Sequence, residues 1–200
     1  MVEGIVDRAV LNRLMSHANV TTTAIYVANG KAHIHEHLDG YNSAARFAPW
    51  IVLVDLNHEA ACAPDLRRAW LPQPAPHMCF RVAVREIEAW LLADRQRLSS
   101  YLSVAASALP LHPEDEADPK LTMVRLAGRS RRLAIRTDMT PRPGSGRAVG
   151  PAYSSRLIEF VSDTTRGWRP DVAAQHSSSL RRCLERIRQL AATGRRTTSE

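Results

Sequence analysis

Along the first two-thirds of the chain, apolar positions switch between a helical and a strand period. From Val6 to Ala18 they fall at Val6, Val10, Leu11, Leu14 and Met15, one face of a helix. Thr21–Ala28 (TTTAIYVA) is β-branched and aromatic and is closed by Asn29-Gly30, which predicts a strand and a turn. Lys31–Gly40 is polar and rich in histidine, the composition of a surface loop. Asn42–Phe47 predicts a short helix stopped by Pro49. Trp50–Val54 (WIVLV) is a continuous apolar run, of the kind buried on both faces of a parallel sheet, and it delivers Asp55 at its carboxyl end. A helix over Asp65–Leu71, a strand over Met78–Val84 and a helix over Glu86–Asp94, with Ile87, Trp90 and Leu91 inward, complete this part. Any first strand is reduced to Met1 and Val2. The short connections predict an α/β fold, a parallel sheet with helices on both faces and Trp50–Val54 between Thr21–Ala28 and Met78–Val84.

After Leu109 the pattern changes. An acidic, proline-punctuated connector (PLHPEDEADPK) leads into helical segments at Leu121–Ala127, Arg129–Arg136, Tyr153–Val161 and Leu180–Ala191, with a Gly/Pro loop at Pro141–Pro151. Nothing there has a strand period, and Thr193–Glu200 reads as a frayed basic tail. The expected organisation is an α/β domain over residues 1–108 and a basic helical extension over 109–200 packed on it. Ser178–Ala191 is amphipathic, with Leu180, Cys183, Leu184, Ile187 and Leu190 on one stripe, a face for the body of the protein or for a partner.

Composition narrows the class. Of 200 residues, 44% are hydrophobic and 24% charged, which is globular rather than disordered. No apolar run reaches the roughly 20 residues of a membrane span, and the acidic opening MVEGIVDR has no secretory core segment. Three widely spaced cysteines without a CxxC argue against a disulfide scaffold or zinc ribbon and fit a reducing cytoplasm. The net charge of +7 is segregated: residues 1–120 carry 11 basic and 14 acidic side chains, residues 121–200 carry 16 and 6. A basic half beside an acidic one suggests a polyanion held by one and chemistry done by the other, with a solvated basic face as the plainer alternative.

The acidic residues fall at predicted strand ends. Glu3 follows the vestigial first strand, Asp55 the central one, and Glu86 and Glu88 open the helix after another. Ligands of open α/β sheets sit outside the carboxyl ends of the strands, and carboxylates converging there repel unless a cation lies among them. Oxygen-only donors suit Mg²⁺ or Mn²⁺. The alternative is that each carboxylate caps its own helix.

These residues carry a resemblance. VEGIVD (Val2–Asp7) resembles the opening Glu-Gly-x-x-Asp motif of TOPRIM domains, and IVLVDLNHE (Ile51–Glu59) their strand ending in Asp-x-Asp. FRVAVREIEAWLLAD (Phe80–Asp94), GSGRAVGPAYSSRLIEF and WRPDVAAQHSSSLRRC are similar to an uncharacterised prokaryotic TOPRIM-like family over nearly the whole chain. The resemblance implies a Mg²⁺-dependent phosphoryl-transfer fold, as in topoisomerases, primases and overcoming-lysogenisation-type nucleases. It implies acid/base work or metal binding for Glu3, and metal binding for Asp55 and position 57. Asn57 stands where the family has its second carboxylate, which brings in Glu59, Glu86 or Glu88 as substitute ligands and His58 as a water-activating base. It also implies a toxic effector of anti-phage defence restrained by an ATPase partner.

In GSGRAVG (Gly144–Gly150), glycines would let backbone amides approach a phosphate, with Arg142 and Arg147 adding charge and Arg131, Arg132 and Arg156 nearby in sequence. A flexible connector is the alternative. There is no P-loop, no GxSxG, and no cysteine paired by motif with a histidine, so serine or cysteine hydrolysis has no support. His33, His35 and His37 would share one side, as a metal site needs, if their segment were extended. The expectation is a metal-dependent nuclease acting on DNA or RNA. The alternative is a TOPRIM-like subunit that binds nucleic acid or a partner without catalysis, the reading favoured by Asn57.

Overall fold

The apolar run Trp50–Asp55 (β1) pairs in parallel with Met78–Ala83 (β2), from Trp50 opposite Met78 to Asp55 opposite Ala83. This computed structural model describes residues 1–21 and 24–196. It is an α/β structure, mostly helical, with a small parallel sheet. The chain divides into two compact units, Met1–Val84 with Ser179–Glu200, and Arg85–Ser178. The division expected after residue 108 lies inside the second.

In the first unit, β1 is flanked on its free edge by Val2 rather than by the Thr21–Ala28 run. Val2 makes parallel bridges to both Leu53 and Val27, so the vestigial strand is inserted between the two segments expected to be neighbours. Val2 accepts from Ala28 N at 2.8 Å and donates to Tyr26 O at 3.0 Å, while Met1 O accepts from Leu53 N at 3.1 Å. The Thr21–Ala28 segment thus forms a single bridge and no ladder over its described residues; Thr22 and Thr23 of that run lie outside them. Two residues suffice because Val2, fully buried, has backbone partners on both sides.

Side chains alternate across the sheet. Val52, Val54, Met78, Phe80 and Val82 point to the face covered by Ile34 and Leu38 of α2 (Lys31–Ala44) and Leu66 of α3 (Ala63–Trp70). On the opposite face, α1 (Ile5–His17) and α10 (Ser178–Arg196) enclose an apolar cavity of about 490 Å³ lined by Leu11, Met15, Ile51, Ile187 and Leu190. Arg186 on α10 reaches Met78 O at 3.4 Å. The stripe Leu180, Cys183, Leu184, Ile187 and Leu190 is buried, so the amphipathic C-terminal helix docks on the body of its own unit. It runs through Arg196; the remainder of the expected tail lies outside the described residues.

The largest departure from expectation is α2. The histidine-rich segment read as a loop, together with the first three residues of the short helix expected at Asn42–Phe47, forms one helix of 14 residues that ends at Ala44. Only Ile34 and Leu38 of this segment are fully buried, a stripe of one residue per turn, too thin to register as a helical period amid His, Glu and Asp. The helix holds because that i, i+4 pair sits in the core under Val52, Val54 and Phe80.

The second unit has helices and loops and no strand among its described residues: α4 (Ile87–Leu92), α5 (Arg95–Leu102), α6 (Pro119–Gly128), α7 (Leu133–Met139), α8 (Tyr153–Ser162) and α9 (Pro170–His176), with two 3₁₀ turns; α5 and α9 were not expected, and the helix expected at Arg129–Arg136 starts only at Leu133. Trp90, Trp168 and Phe160 are wholly buried, and Trp168 Nε1 donates to Trp90 O at 3.0 Å. Asp94, also fully buried, accepts from Arg97 N at the start of α5 and from Arg169 N, Nε and Nη2 at 2.7–3.0 Å. The acidic connector performs capping: Asp118 accepts from Leu121 N, and Glu114 accepts from Ser177 and Ser178. No helix of the described residues is long and apolar enough to cross a membrane.

Candidate functional site

The first unit brings Glu3 and Asp55 to the same carboxyl edge. Leu53 N bonds the backbone of Met1, but two residues on, Asp55 N donates to Glu3 Oε1 at 2.8 Å, so the Glu3 carboxylate takes the place of a main-chain acceptor and extends the ladder. Burial raises the Glu3 carboxyl above its ordinary range, against the lowering effect of the Asp55 amide and the Lys31 ammonium. Asp7, buried in the first turn of α1, adds to that rise, and a Cβ at Gly4 would meet its Oδ2 at 3.0 Å. The Glu-Gly-x-x-Asp spacing is therefore a packed turn with two carboxylates beside one another.

Lys31, at the start of α2, was not among the residues the sequence pointed to. Its Nζ donates to Asp55 O and, at 3.3 Å, to Leu56 O, and pairs with Glu59 Oε1 at 3.1 Å. Its side chain is only 10% exposed. The signal that could have found it is rarity: Lys31 and Lys120 are the only lysines among 27 basic residues. A compact ammonium meets carbonyl and carboxylate oxygens as a point charge, where a guanidinium would need a wider planar fork.

Asn57 has φ 51°, in the left-handed region that asparagine adopts more readily than most residues. The departure from Asp-x-Asp thus coincides with a turn that suits asparagine for conformational reasons alone. His58 and Glu59 follow on the exposed side of this turn. Glu3, Asp55, Asn57 and Glu59 offer oxygen donors, the kind a hard cation such as Mg²⁺ or Mn²⁺ takes, but among the described residues Glu3, Asp55 and Glu59 do not bring three ligand atoms within 4.8 Å of one another, and Lys31 already balances part of their charge.

Glu86 and Glu88 belong to the second unit. Lys120 Nζ pairs with Glu86 Oε1 at 2.9 Å and lies 3.8 Å from Glu88 Oε1, and Lys120 N donates to Glu86 Oε2. Glu88 is 3% exposed and accepts from the Tyr153 hydroxyl at 3.1 Å; its Oε2 is buried with no hydrogen-bond partner among the described residues. Burial, opposed chiefly by Lys120, raises its carboxyl to about 7, and burial with the facing Glu88 drives the Tyr153 phenol well above its ordinary value. This is a carboxylic acid poised to hold or release a proton near neutrality.

Of the arginines, Arg142 and Arg147 line a cavity of about 270 Å³ with Ser145, Val149 and Pro151. Arg131 is exposed beside them in sequence. Arg132 Nη1 reaches Tyr101 O, and Arg156 is bound by Asp138 and Glu159, both at 2.7 Å. Arg156 thus faces carboxylates of its own unit. The apolar cavity under α10 opens at the Trp50 end of β1, opposite Asp55, and among the described residues no carboxylate or imidazole side chain lines it. Compared with protein-family models, curated proteins and solved structures, the chain matches none.

Proposed function

We propose that the protein is a TOPRIM-like, divalent-metal-dependent nuclease whose reacting edge is formed by Glu3 and Asp55. The observation that carries this reading is the hydrogen bond from the Asp55 backbone amide to Glu3 Oε1, which ties the Glu3 carboxylate to the residue at the carboxyl end of a parallel strand. Mg²⁺ or Mn²⁺ would be held by Asp55 and Glu3 with Asn57 and Glu59 as further oxygen donors, and when bound supplies charge stabilisation at the phosphoryl oxygens. Glu3, its carboxyl raised by burial, accepts a proton from water more readily than a solvated glutamate. His58 or Glu59 stand at the adjacent turn as fallback bases. Lys31 holds the Asp55–Leu56 carbonyls in place and adds positive charge toward the substrate phosphate. Arg142, Arg147 and Arg131 are the residues proposed to follow a nucleic-acid backbone. Glu88 serves in proton transfer within its own unit, with Glu86 held by Lys120 beside it. The ATPase partner and the defence setting rest on the family resemblance.

A second reading, a binding or regulatory subunit without catalysis, is favoured by Lys31, because an ammonium that already pairs with Glu59 weakens the demand for an ion. One experiment separates them. Supercoiled DNA and tRNA are incubated with the protein and Mg²⁺ or Mn²⁺; cleavage that is lost in Asp55→Ala and retained or raised in Asn57→Asp fits the nuclease. Intact DNA and RNA under all conditions, with no divalent ion bound, sink it and leave the binding subunit.

A further inference from the structure

The exposed face of α2 carries a constellation that the proposed nuclease reaction does not use. His33, Glu36 and His37 are spaced i, i+3, i+4, so the helix sets them on adjacent turns of one face. Their ligand atoms all lie within 4.8 Å of one another, and among the described residues this is the one His/Cys/Asp/Glu trio with that geometry. The two imidazoles are stacked, centroids 4.3 Å apart and planes 28° from parallel. His35, which an extended segment would have put beside them, lies on another face of the helix and stacks on Trp70 at 4.2 Å.

The tautomer of the neutral His37 ring follows from geometry. Its Nδ1 lies 2.9 Å from the backbone oxygen of His33, which only accepts, so in the neutral ring Nδ1 carries the hydrogen and Nε2 the lone pair. A backbone carbonyl holding the far nitrogen is the usual support of a metal-binding imidazole. Around a tetrahedral zinc ion with bonds of about 2.0–2.1 Å, donor atoms sit about 3.4 Å apart. Side chains that are half-buried (His33) or exposed (Glu36, His37) reach that spacing by small rotations without disturbing the core.

We propose that α2 carries a surface site for a late first-row divalent metal, Zn²⁺ being the representative ion, held by a ring nitrogen of His33, the Glu36 carboxylate and His37 Nε2. Two imidazoles and one carboxylate suit Zn²⁺, Co²⁺ or Ni²⁺ and not Mg²⁺, so this site and the strand-end oxygens select different ions. Three protein ligands leave a coordination position for water or an external donor, the arrangement of an open rather than a closed structural site.

The test uses the full chain, free of any histidine tag and stripped of metal, titrated with Zn²⁺ against a chromophoric chelator and with Co²⁺ by visible absorption. The expected result is one equivalent bound and Co²⁺ d–d bands without thiolate charge transfer. His33→Ala and His37→Ala each should weaken binding by about tenfold or more, by the loss of one of three ligands. Glu36→Gln should weaken it less, and His35→Ala should leave it unchanged. A millimolar excess of Mg²⁺ should not displace the ion. Retained Zn²⁺ binding in the His33→Ala/His37→Ala double variant, equal loss in His35→Ala, or no binding by the unaltered chain overturns the proposal. Thermal melts of the metal-free variants matching that of the parent establish that fold is not the cause.

Discussion

Glu88 is a carboxyl group without solvent, with one oxygen on a phenol and the other on nothing among the described residues, and its titration follows from that. Burial lifts it from the ordinary 4.5 to about 7, so the folded chain holds its proton more tightly than the unfolded chain does between those values. Stability from this group is fully present below pH 4.5 and is lost as the pH rises through 7, by roughly 3 kcal/mol in all. Glu88→Gln removes the titration while keeping the shape and an acceptor for Tyr153. The difference in unfolding free energy between variant and parent, measured by urea at pH 4.5 and pH 8, should therefore shift in favour of the variant at the higher pH; an identical difference at both refutes the assignment. Single residues were legible in the sequence when a strand delivered them, as with Glu3 and Asp55. Lys31 and Tyr153 were not, because each reaches its carboxylate or carbonyl across more than 20 residues of chain and belongs to no local pattern.

At the scale of elements, β1, β2 and α4 could be read directly, since WIVLV, MCFRVA and EIEAWLL bury most of their length and leave little ambiguity of period. The helix α2 could not, since two buried residues in 14 make no visible stripe. Nor could the insertion of Val2, because two residues cannot show a period at all. The loop after α7 joins both regimes. Gly144 has φ 75° with open space where a side chain would go, so Gly144→Ala should cost only the left-handed backbone term, about 1 kcal/mol. Gly150 is different: a Cβ there would stand 2.4 Å from Asp138 O and 2.6 Å from the Met139 carbonyl carbon. Neither backbone atom has room to yield, and Gly150→Ala should destabilise the chain by about 1–3 kcal/mol or more. Denaturant midpoints of the two variants compare these directly; equal losses count against the close approach at Gly150.

For the molecule as a whole, the segregation of charge read from the sequence leads to a measurable property. Arg142 and Arg147 line one cavity and make no ion pair among those found between described residues, unlike Arg156 and Arg169. If they contact a phosphate backbone, Arg142→Glu with Arg147→Glu should weaken nucleic-acid binding about equally for every sequence and reduce the log–log salt slope by about 2. A slope unchanged by the double variant, measured by fluorescence anisotropy over a salt series, removes these residues from the interface. Phe80–Asp94 and the segment opening at Trp168 act as scaffold: Trp168 bonds the backbone of Trp90, and Arg169 clamps Asp94, whatever chemistry is done elsewhere. The scarcity of lysine has its own consequence. Reagents that acylate amines find only two side chains in the chain, one 10% and the other 39% exposed. Because acylated lysine resists lysine-specific cleavage, a protease specific for arginine is the one that separates the labels, cutting at Arg13 and Arg46 around Lys31 and at Arg97 and Arg125 around Lys120. The ratio of labelling at Lys31 to that at Lys120 then reports how far Lys31 is withdrawn from solvent at the Glu3–Asp55 edge, without any engineered probe.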